Sequence, residues 1–85
     1  MAEEKILIAD DDPAVRRLLI RVVEGSGFQA VTACDGTEAV HLASRESFAL
    51  ILLDIMMPKI DGYAVCELVR KESKIPIIML TSMDE

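Results

Sequence analysis

The chain has 85 residues, a net charge of −6 and a hydrophobic fraction of 52%, which suits one small domain. With no Trp, one Tyr and two Phe, this acidic chain lacks both the basic groups and the aromatic side chains of nucleic-acid-binding proteins. No apolar run approaches the ~20 residues of a membrane span, and the charged start at 1–5 is unlike a signal peptide. We therefore predict a cytoplasmic protein that contacts neither a membrane nor nucleic acid directly.

The chain opens with the pattern of a strand followed by a helix. Residues 5–9 form an unbroken apolar run, which is typical of a strand covered on both faces. Asp12 is a favourable N-cap and Pro13 suits the first helical position. The helix is expected to end at the glycine-rich segment 25–27. Its apolar residues recur at helical spacing and predict one buried stripe, formed by Val15, Leu18, Leu19, Val22 and Val23.

A weaker strand, a helix and a stronger strand follow. Residues 28–33 read as the second strand, although two polar residues interrupt its apolar pattern. The turn signal at 35–36 precedes a second helix, for which Thr37 is the expected cap. Residues 48–53 have the clearest strand pattern of the chain. The alternation of strands and helices therefore continues through the middle of the sequence.

The last predicted elements complete an alternating order. Residues 61–62 open a third helix, and Pro76 precedes the apolar run 77–80 at the position where a strand tolerates proline. The resulting order, β-α-β-α-β-α-β, implies right-handed crossovers and a parallel sheet with helices on both faces. Because no linker or repeat interrupts it, residues 1–85 are predicted to form a single α/β domain.

Acidic residues follow two of the predicted strands. Asp10 and Asp11 come directly after the first strand, and Asp54 follows the third. The carboxyl ends of parallel strands meet at one edge of a sheet, so these carboxylates should converge there, at an edge that Thr81 also reaches by following the fourth strand. Like charges oppose one another's ionisation, and Mg²⁺ prefers a few carboxylates together with waters and phosphate. The sequence therefore predicts a Mg²⁺ site with a phosphoryl group nearby.

Several spaced motifs resemble the receiver domains of bacterial response regulators, and together they cover nearly the whole chain. They are KILIADDDP at 5–13, DGTEAV at 35–40, LILLDIMMPKIDG at 50–62 and IPIIMLTS at 75–82. The resemblance implies a flavodoxin-like sheet with the family's strand order, and a role in two-component signalling. In that family a sensor histidine kinase transfers a phosphoryl group to an aspartate, which acts as a conformational switch. Such a domain promotes its own phosphorylation but is not otherwise an enzyme.

The resemblance also implies roles for single residues. Asp54 corresponds to the phosphoacceptor, and a carboxylate is a competent nucleophile toward phosphorus. Asp10 and Asp11 resemble the acidic pair that binds Mg²⁺, with Asp11 as the direct ligand, and Asp54 and the backbone carbonyl of Met56 complete the implied ligand set. Thr81 resembles the hydroxyl residue that senses the phosphoryl group. From residue type alone, helix capping by the first aspartates and an ordinary strand end at Thr81 stay open.

The printed sequence also departs from the family pattern. A full receiver continues through a fourth helix, a fifth strand and a fifth helix, and the fifth strand brings a lysine that pairs with the phosphoryl group. Lys59 and Lys74 do not follow a strand at the reactive edge, so this role is not assigned to them. We expect the fourth strand to form an unpaired apolar edge, which favours pairing with a second copy of the chain.

Other classes of function compete with a phosphorylated receiver. A receiver-like module for interaction or self-association would keep the fold without the switch; the missing lysine favours it, whereas the aspartates and Thr81 oppose it. The chain would also fit as a fragment of a longer DNA-binding response regulator. An aspartate-nucleophile phosphatase is disfavoured, because such enzymes usually place a second acid two residues after the nucleophile, where this chain has Met56.

Overall fold

The seven elements described by the computed structural model, which covers residues 4–80, form one parallel sheet flanked by helices. The strands are β1 (Lys5–Ala9), β2 (Gln29–Ala33), β3 (Leu50–Asp54) and β4 (Ile77–Leu80), and the helices are α1 (Pro13–Gly25), α2 (Gly36–Arg45) and α3 (Gly62–Arg70). The strand order is β2-β1-β3-β4. These features confirm the predicted flavodoxin-like α/β fold. Within residues 4–80, none of the helices combines the length and hydrophobicity needed to cross a membrane.

Strand β1 lies between β2 and β3 and contributes to two separate cores. Successive side chains of a strand point to opposite faces of its sheet. Leu7 and Ala9 accordingly pack with residues of α2 and α3, whereas Ile6 and Ile8 pack with residues of α1. All four side chains are buried. The unbroken apolar run of β1 is therefore explained by helices covering both faces of the sheet.

Each helix begins at an aspartate whose side chain accepts a backbone N–H bond. Asp12, Asp35 and Asp61 accept from Ala14, Glu38 and Ala64 at 2.9, 2.8 and 2.9 Å, respectively. The expected cap of the second helix, Thr37, was wrong, because Thr37 lies inside α2. The carboxylate of Asp35 reaches the N–H of Glu38 and starts the helix earlier.

Two strands begin later than their apolar patterns predict. β2 begins at Gln29, because the N–H of Phe28 donates to the carbonyl of Val23 at 3.2 Å and so closes the end of α1. β3 begins at Leu50. Phe48 precedes this strand and is buried in the core below α2 and α3. The apolar character of Phe28 and Phe48 therefore indicates packing in the core rather than membership of a strand.

Helix α1 buries less of its apolar stripe than predicted. Val23 is buried, whereas Leu18 and Val22 are 60% and 57% exposed. Leu18 and Val22 lie outside the contact between α1 and the sheet, which centres on Ile6 and Ile8. The prediction of one fully buried stripe was therefore wrong for this part of the helix.

We expect Ile51→Val to lower the free energy of unfolding by about 1 kcal/mol, because Ile51 is 0% exposed and the lost methyl leaves a cavity. Ile78→Val is the matched control in the neighbouring strand. Ile78 is 50% exposed, so its truncation should change stability by less than about 0.5 kcal/mol. Urea unfolding followed by circular dichroism measures both changes. Equal losses in the two variants would contradict the burial of the β3 face.

Candidate functional site

Three carboxylates meet at the edge formed by the carboxyl ends of β1 and β3. Asp10 directly follows β1, Asp11 comes next, and Asp54 is the last residue of β3. The two strands are parallel neighbours, with Ala9 opposite Leu53. One carboxylate oxygen from each of the three aspartates lies within 4.8 Å of the other two. The structure thus brings together the acidic residues that the sequence placed at one edge.

Asp10 is the most firmly held of the three. It is 5% exposed, and its N–H donates to the carbonyl of Ala33 in β2 at 3.1 Å. Its Oδ1 accepts the N–H of Asp12 at 2.9 Å, and its carbonyl accepts Nη1 of Arg16 at 2.7 Å. Sequence reasoning missed Arg16; its only signal was a cationic residue one turn into the helix that follows the acidic segment. These bonds fix the backbone and side chain of Asp10 between β2 and α1.

The electrostatic environment of Asp54 disfavours its ionised form. Partial burial raises the pKa of Asp54 above its ordinary value, and the negative charges of Asp10 and Asp11 raise it further. The N–H of Met56, which donates to Oδ1 of Asp54 at 3.3 Å, acts in the opposite direction. Asp54 is therefore a carboxylate whose charge is more favourable when a cation is nearby.

The loop after β3 is tied to both β4 and the start of α3. The N–H of Ile55 donates to the carbonyl of Leu80 at 3.1 Å, and the N–H of Gly62 donates to the carbonyl of Ile55 at 2.8 Å. A Cβ atom at Gly62 would overlap with the carbonyl oxygen of Asp54, so this position requires glycine. Met56 lies in this loop and is 67% exposed, so its side chain is not needed for the core.

Thr81 lies outside the described residues. Its sequence neighbour Leu80 ends β4 and is the register partner of Asp54 in β3. The role assigned to Thr81 from the sequence therefore stays a prediction.

The donor set suits a hard divalent cation. The three carboxylates offer only oxygen ligands, and they range from the buried Asp10 through the half-buried Asp54 to the exposed Asp11. Mg²⁺ binds proteins through a small number of carboxylates and keeps several of its waters, which the exposed side of this cluster allows. Its charge would also offset the like-charge interaction that raises the pKa of Asp54. The residues present therefore fit the Mg²⁺ ion expected from the sequence.

We expect Asp54→Asn to raise the thermal unfolding midpoint by a few degrees at neutral pH in EDTA. Because the pKa of Asp54 is raised on folding, protonation of its carboxyl group stabilises the folded state. This contribution is complete below the ordinary pKa of aspartate. That contribution is lost as the pH rises through the folded-state pKa. The gain in the variant should therefore disappear toward about pH 4, near the ordinary pKa of aspartate.

Asp61→Asn is the matched control for this substitution, because asparagine caps helices as well as aspartate does and Asp61 has no place in the acidic cluster. It should show no such gain. Thermal scans by circular dichroism over a pH series measure the effect. A midpoint of Asp54→Asn at neutral pH that equals or falls below that of the unmodified chain would contradict the unfavourable charge at Asp54.

Comparison of the sequence with known proteins gives one consistent result. The family described as the response regulator receiver domain matches residues 6–85. The probable transcriptional regulator ycf27 of Galdieria sulphuraria is 52% identical over 83 residues, which cover 98% of this chain and 32% of that protein. The alkaline phosphatase synthesis transcriptional regulatory protein PhoP of Bacillus subtilis is 45% identical over 83 residues, covering 96% of this chain and 35% of that protein. The chain thus spans about a third of the length of these curated relatives.

Solved structures with the same fold agree with this result. The response regulator protein TrrA of Thermotoga maritima, solved in complex with Mg²⁺-BeF, has a TM-score of 0.87 and 38% identity, covering 92% of this chain and 69% of that chain. The BeF3-activated N-terminal receiver domain of Klebsiella pneumoniae RstA has a TM-score of 0.88 and 35% identity, covering 96% of this chain and 70% of that chain. The resemblance carried by the sequence motifs is therefore confirmed, and the chain belongs to the family of response regulator receiver domains.

Proposed function

We propose that this receiver domain accepts a phosphoryl group on Asp54, with Mg²⁺ held by Asp10, Asp11, Asp54 and the backbone carbonyl of Met56. The observation that carries the proposal is the convergence of the three carboxylates within 4.8 Å. Within residues 4–80, no lysine, arginine or histidine forms an ion pair with any of them. A cluster of acids that serves only structure would be expected to have such partners, because uncompensated like charges oppose folding.

The proposed phosphoryl donor is a phosphohistidine of a sensor histidine kinase. A carboxylate oxygen of Asp54 forms a bond to phosphorus while the bond between phosphorus and the imidazole nitrogen breaks, and the imidazole leaves with that electron pair. Since the transition state for phosphoryl transfer is loose, the protein contributes mainly positioning. Pairing of β3 with β4 fixes the backbone of Asp54, and the N–H of Met56 orients one of its oxygens. Bound Mg²⁺ supplies positive charge that stabilises the transferred group.

Thr81 enters the proposal as the hydroxyl that donates to the phosphoryl group and reports phosphorylation to the rest of the domain. Support comes from its position in the chain, directly after the register partner of Asp54, Leu80. A hydroxyl bond to a phosphate oxygen is charge-assisted and is therefore strong enough to bias a conformational equilibrium. The domain would then act as a switch rather than as an enzyme with a separate substrate.

The wider setting of the domain follows from its relatives. They are named as transcriptional regulators and are about three times as long as this chain. We propose that residues 1–85 receive the phosphoryl signal in the cytoplasm without touching DNA. The net charge of −6 supports this division of roles, because DNA binding depends on cationic groups that neutralise phosphates.

Incubation with acetyl phosphate and Mg²⁺ should add one phosphoryl group to the unmodified chain, detected by intact-mass spectrometry. Asp54→Asn should abolish the adduct, because the amide is no nucleophile toward phosphorus. The adduct should persist in Asp61→Asn, which changes an aspartate of the same loop outside the acidic cluster. Addition of EDTA should abolish it in every sample. A Mg²⁺-dependent adduct that survives in Asp54→Asn would rule out this residue as the acceptor.

We also propose that a chain of these 85 residues associates with a second copy through β4. In the described sheet, β4 pairs with β3 on one side and is the edge strand. Ile78 in this strand is 50% exposed. An apolar edge strand with free backbone groups favours pairing with another strand of the same kind. The second copy would lie against β4 and extend the sheet.

We expect sedimentation velocity to show a concentration-dependent dimer for the unmodified chain. Ile78→Lys should shift the equilibrium to monomer, because charged side chains on an edge strand oppose edge pairing. Leu18→Lys is the matched control on α1, where Leu18 is 60% exposed, and it should leave the dimer intact. A monomer at every concentration would contradict the proposal. Loss of the dimer in Leu18→Lys alone would assign the contact to α1 instead.

A further inference from the structure

The loop between β3 and α3 contacts the start of α2 at two points. The Nζ of Lys59 lies 3.6 Å from Oδ2 of Asp35. Gly36 is buried beneath Ile60, so closely that a Cβ atom at position 36 would overlap with the carbonyl oxygen of Ile60. We call these four residues, Asp35, Gly36, Lys59 and Ile60, the brace. It joins the segment that leads away from Asp54 to a helix that contributes nothing else to the site.

The backbone of Lys59 indicates that this contact constrains the loop. Its φ is 73°, in the left-handed region, and it is the only non-glycine residue with a positive φ within 4–80. Residues with a Cβ adopt this conformation rarely, and they keep it where the surrounding structure imposes it. Here the side chain of Lys59 pairs with the carboxylate of Asp35, and the next residue, Ile60, packs against Gly36.

The helix side of the brace is itself well fixed. Asp35 caps α2 through Oδ1, which accepts the N–H of Glu38 at 2.8 Å, and Glu38 in turn accepts the N–H of Cys34 through Oε1 at 2.9 Å. These two bonds satisfy the backbone N–H groups of Glu38 and Cys34 around the start of α2. The N–H of Glu38 lowers the pKa of Asp35, and Lys59 lowers it further. Asp35 is therefore a charged group that serves both the helix and the loop.

We propose that the brace positions the β3–α3 loop for Mg²⁺ binding, with Gly36 and Lys59 as positioning residues. The inference rests on the proposed function, in which the backbone of Met56 serves the metal. The loop is tied near its start by the bond between Gly62 and Ile55, and the brace holds its middle. Mg²⁺ requires near-ideal ligand geometry. A shift of Ile60 would therefore displace the backbone carbonyl of Met56, the proposed metal ligand in the same short loop.

The two halves of the brace should contribute unequally. The side chain of Lys59 is 64% exposed, and exposed ion pairs contribute little. The packing of Gly36 against a backbone oxygen leaves no room for adjustment, because backbone cannot move aside as the end of a side chain can. Gly36 should therefore have the larger effect on Mg²⁺ affinity.

The first test compares Gly36→Ala with Gly25→Ala. Both glycines lie in helices, and alanine is the better helix former. A Cβ at Gly25 meets nothing within 4 Å. Isothermal titration with MgCl₂ should show Mg²⁺ binding weakened by about tenfold or more in Gly36→Ala, the scale of lost support around a metal ligand. Gly25→Ala should bind Mg²⁺ as the unmodified chain does. Thermal scans in EDTA show whether each variant is folded.

The second test asks whether a substitution of Lys59 strengthens or weakens Mg²⁺ binding. Lys59→Met removes a cation from the loop that follows Asp54, and the loss of a positive charge by itself would leave Mg²⁺ binding unchanged or strengthen it. If the brace positions the loop, binding should instead weaken, by about two- to fivefold, the range of an exposed ion pair. Lys59→Arg, which keeps the charge, should restore the affinity. Lys74→Met is the control, because Lys74 is exposed and precedes β4, away from the site edge.

The outcomes separate this inference from the proposed function. Weaker Mg²⁺ binding in both brace variants, with normal binding in both controls, is the expected result. Unchanged or tighter binding in folded Gly36→Ala and in Lys59→Met would overturn the brace while leaving the Mg²⁺ site in place. If Gly36→Ala proves unfolded in EDTA, Lys59→Met decides alone. Absence of Mg²⁺ binding by the unmodified chain would overturn both the brace and the proposed site.

Discussion

The carboxylates of Asp10, Asp11 and Asp54 repel one another, and the framework of the domain must hold them together against this repulsion. Parallel pairing of β1 and β3 places these groups at one edge, with oxygens within 4.8 Å of one another. Burial is the main cause of the raised pKa of Asp54, and the charges of Asp10 and Asp11 raise it further. A protein can maintain such a cluster only if its framework is stable enough to hold the charges together. The same arrangement suits a divalent cation, whose charge would offset this repulsion.

The framework that meets this requirement has a core on each face of the sheet. β1 supplies side chains to both, and its carboxyl end continues directly into Asp10. The N–H of Asp10 donates to the carbonyl of Ala33 in β2, and the carbonyl of Asp10 accepts a bond from Arg16 in α1. The packing of the buried strands therefore fixes the positions of the carboxylates at their carboxyl ends. The exposed Met56, by contrast, lies in the loop between β3 and α3.

Two glycines hold that loop in place, because a side chain at either position would displace the neighbouring backbone. Gly62 packs against the carbonyl of Asp54, and Gly36 packs against the carbonyl of Ile60. The first contact joins residues close in sequence, whereas the second brings the start of α2 to the site. A loop fixed in this way has little conformational entropy to lose when a ligand binds. The two contacts thus fix the loop at its junction with α3 and against the start of α2.

The element order, the parallel sheet and the edge at which Asp10, Asp11 and Asp54 meet could all be predicted from the sequence, because apolar runs alternating with amphipathic segments permit few other arrangements. The sequence by itself could not identify Asp35 as the cap of α2, nor the exposure of Leu18 and Val22 on α1. Which of two candidate residues caps a helix depends on the backbone N–H groups that its side chain can reach. How much of an apolar stripe is buried depends on the elements that pack against the helix. The contacts of Arg16 with Asp10 and of Gly36 with Ile60 exist only in the tertiary structure, because they join segments whose separation in space no local pattern encodes.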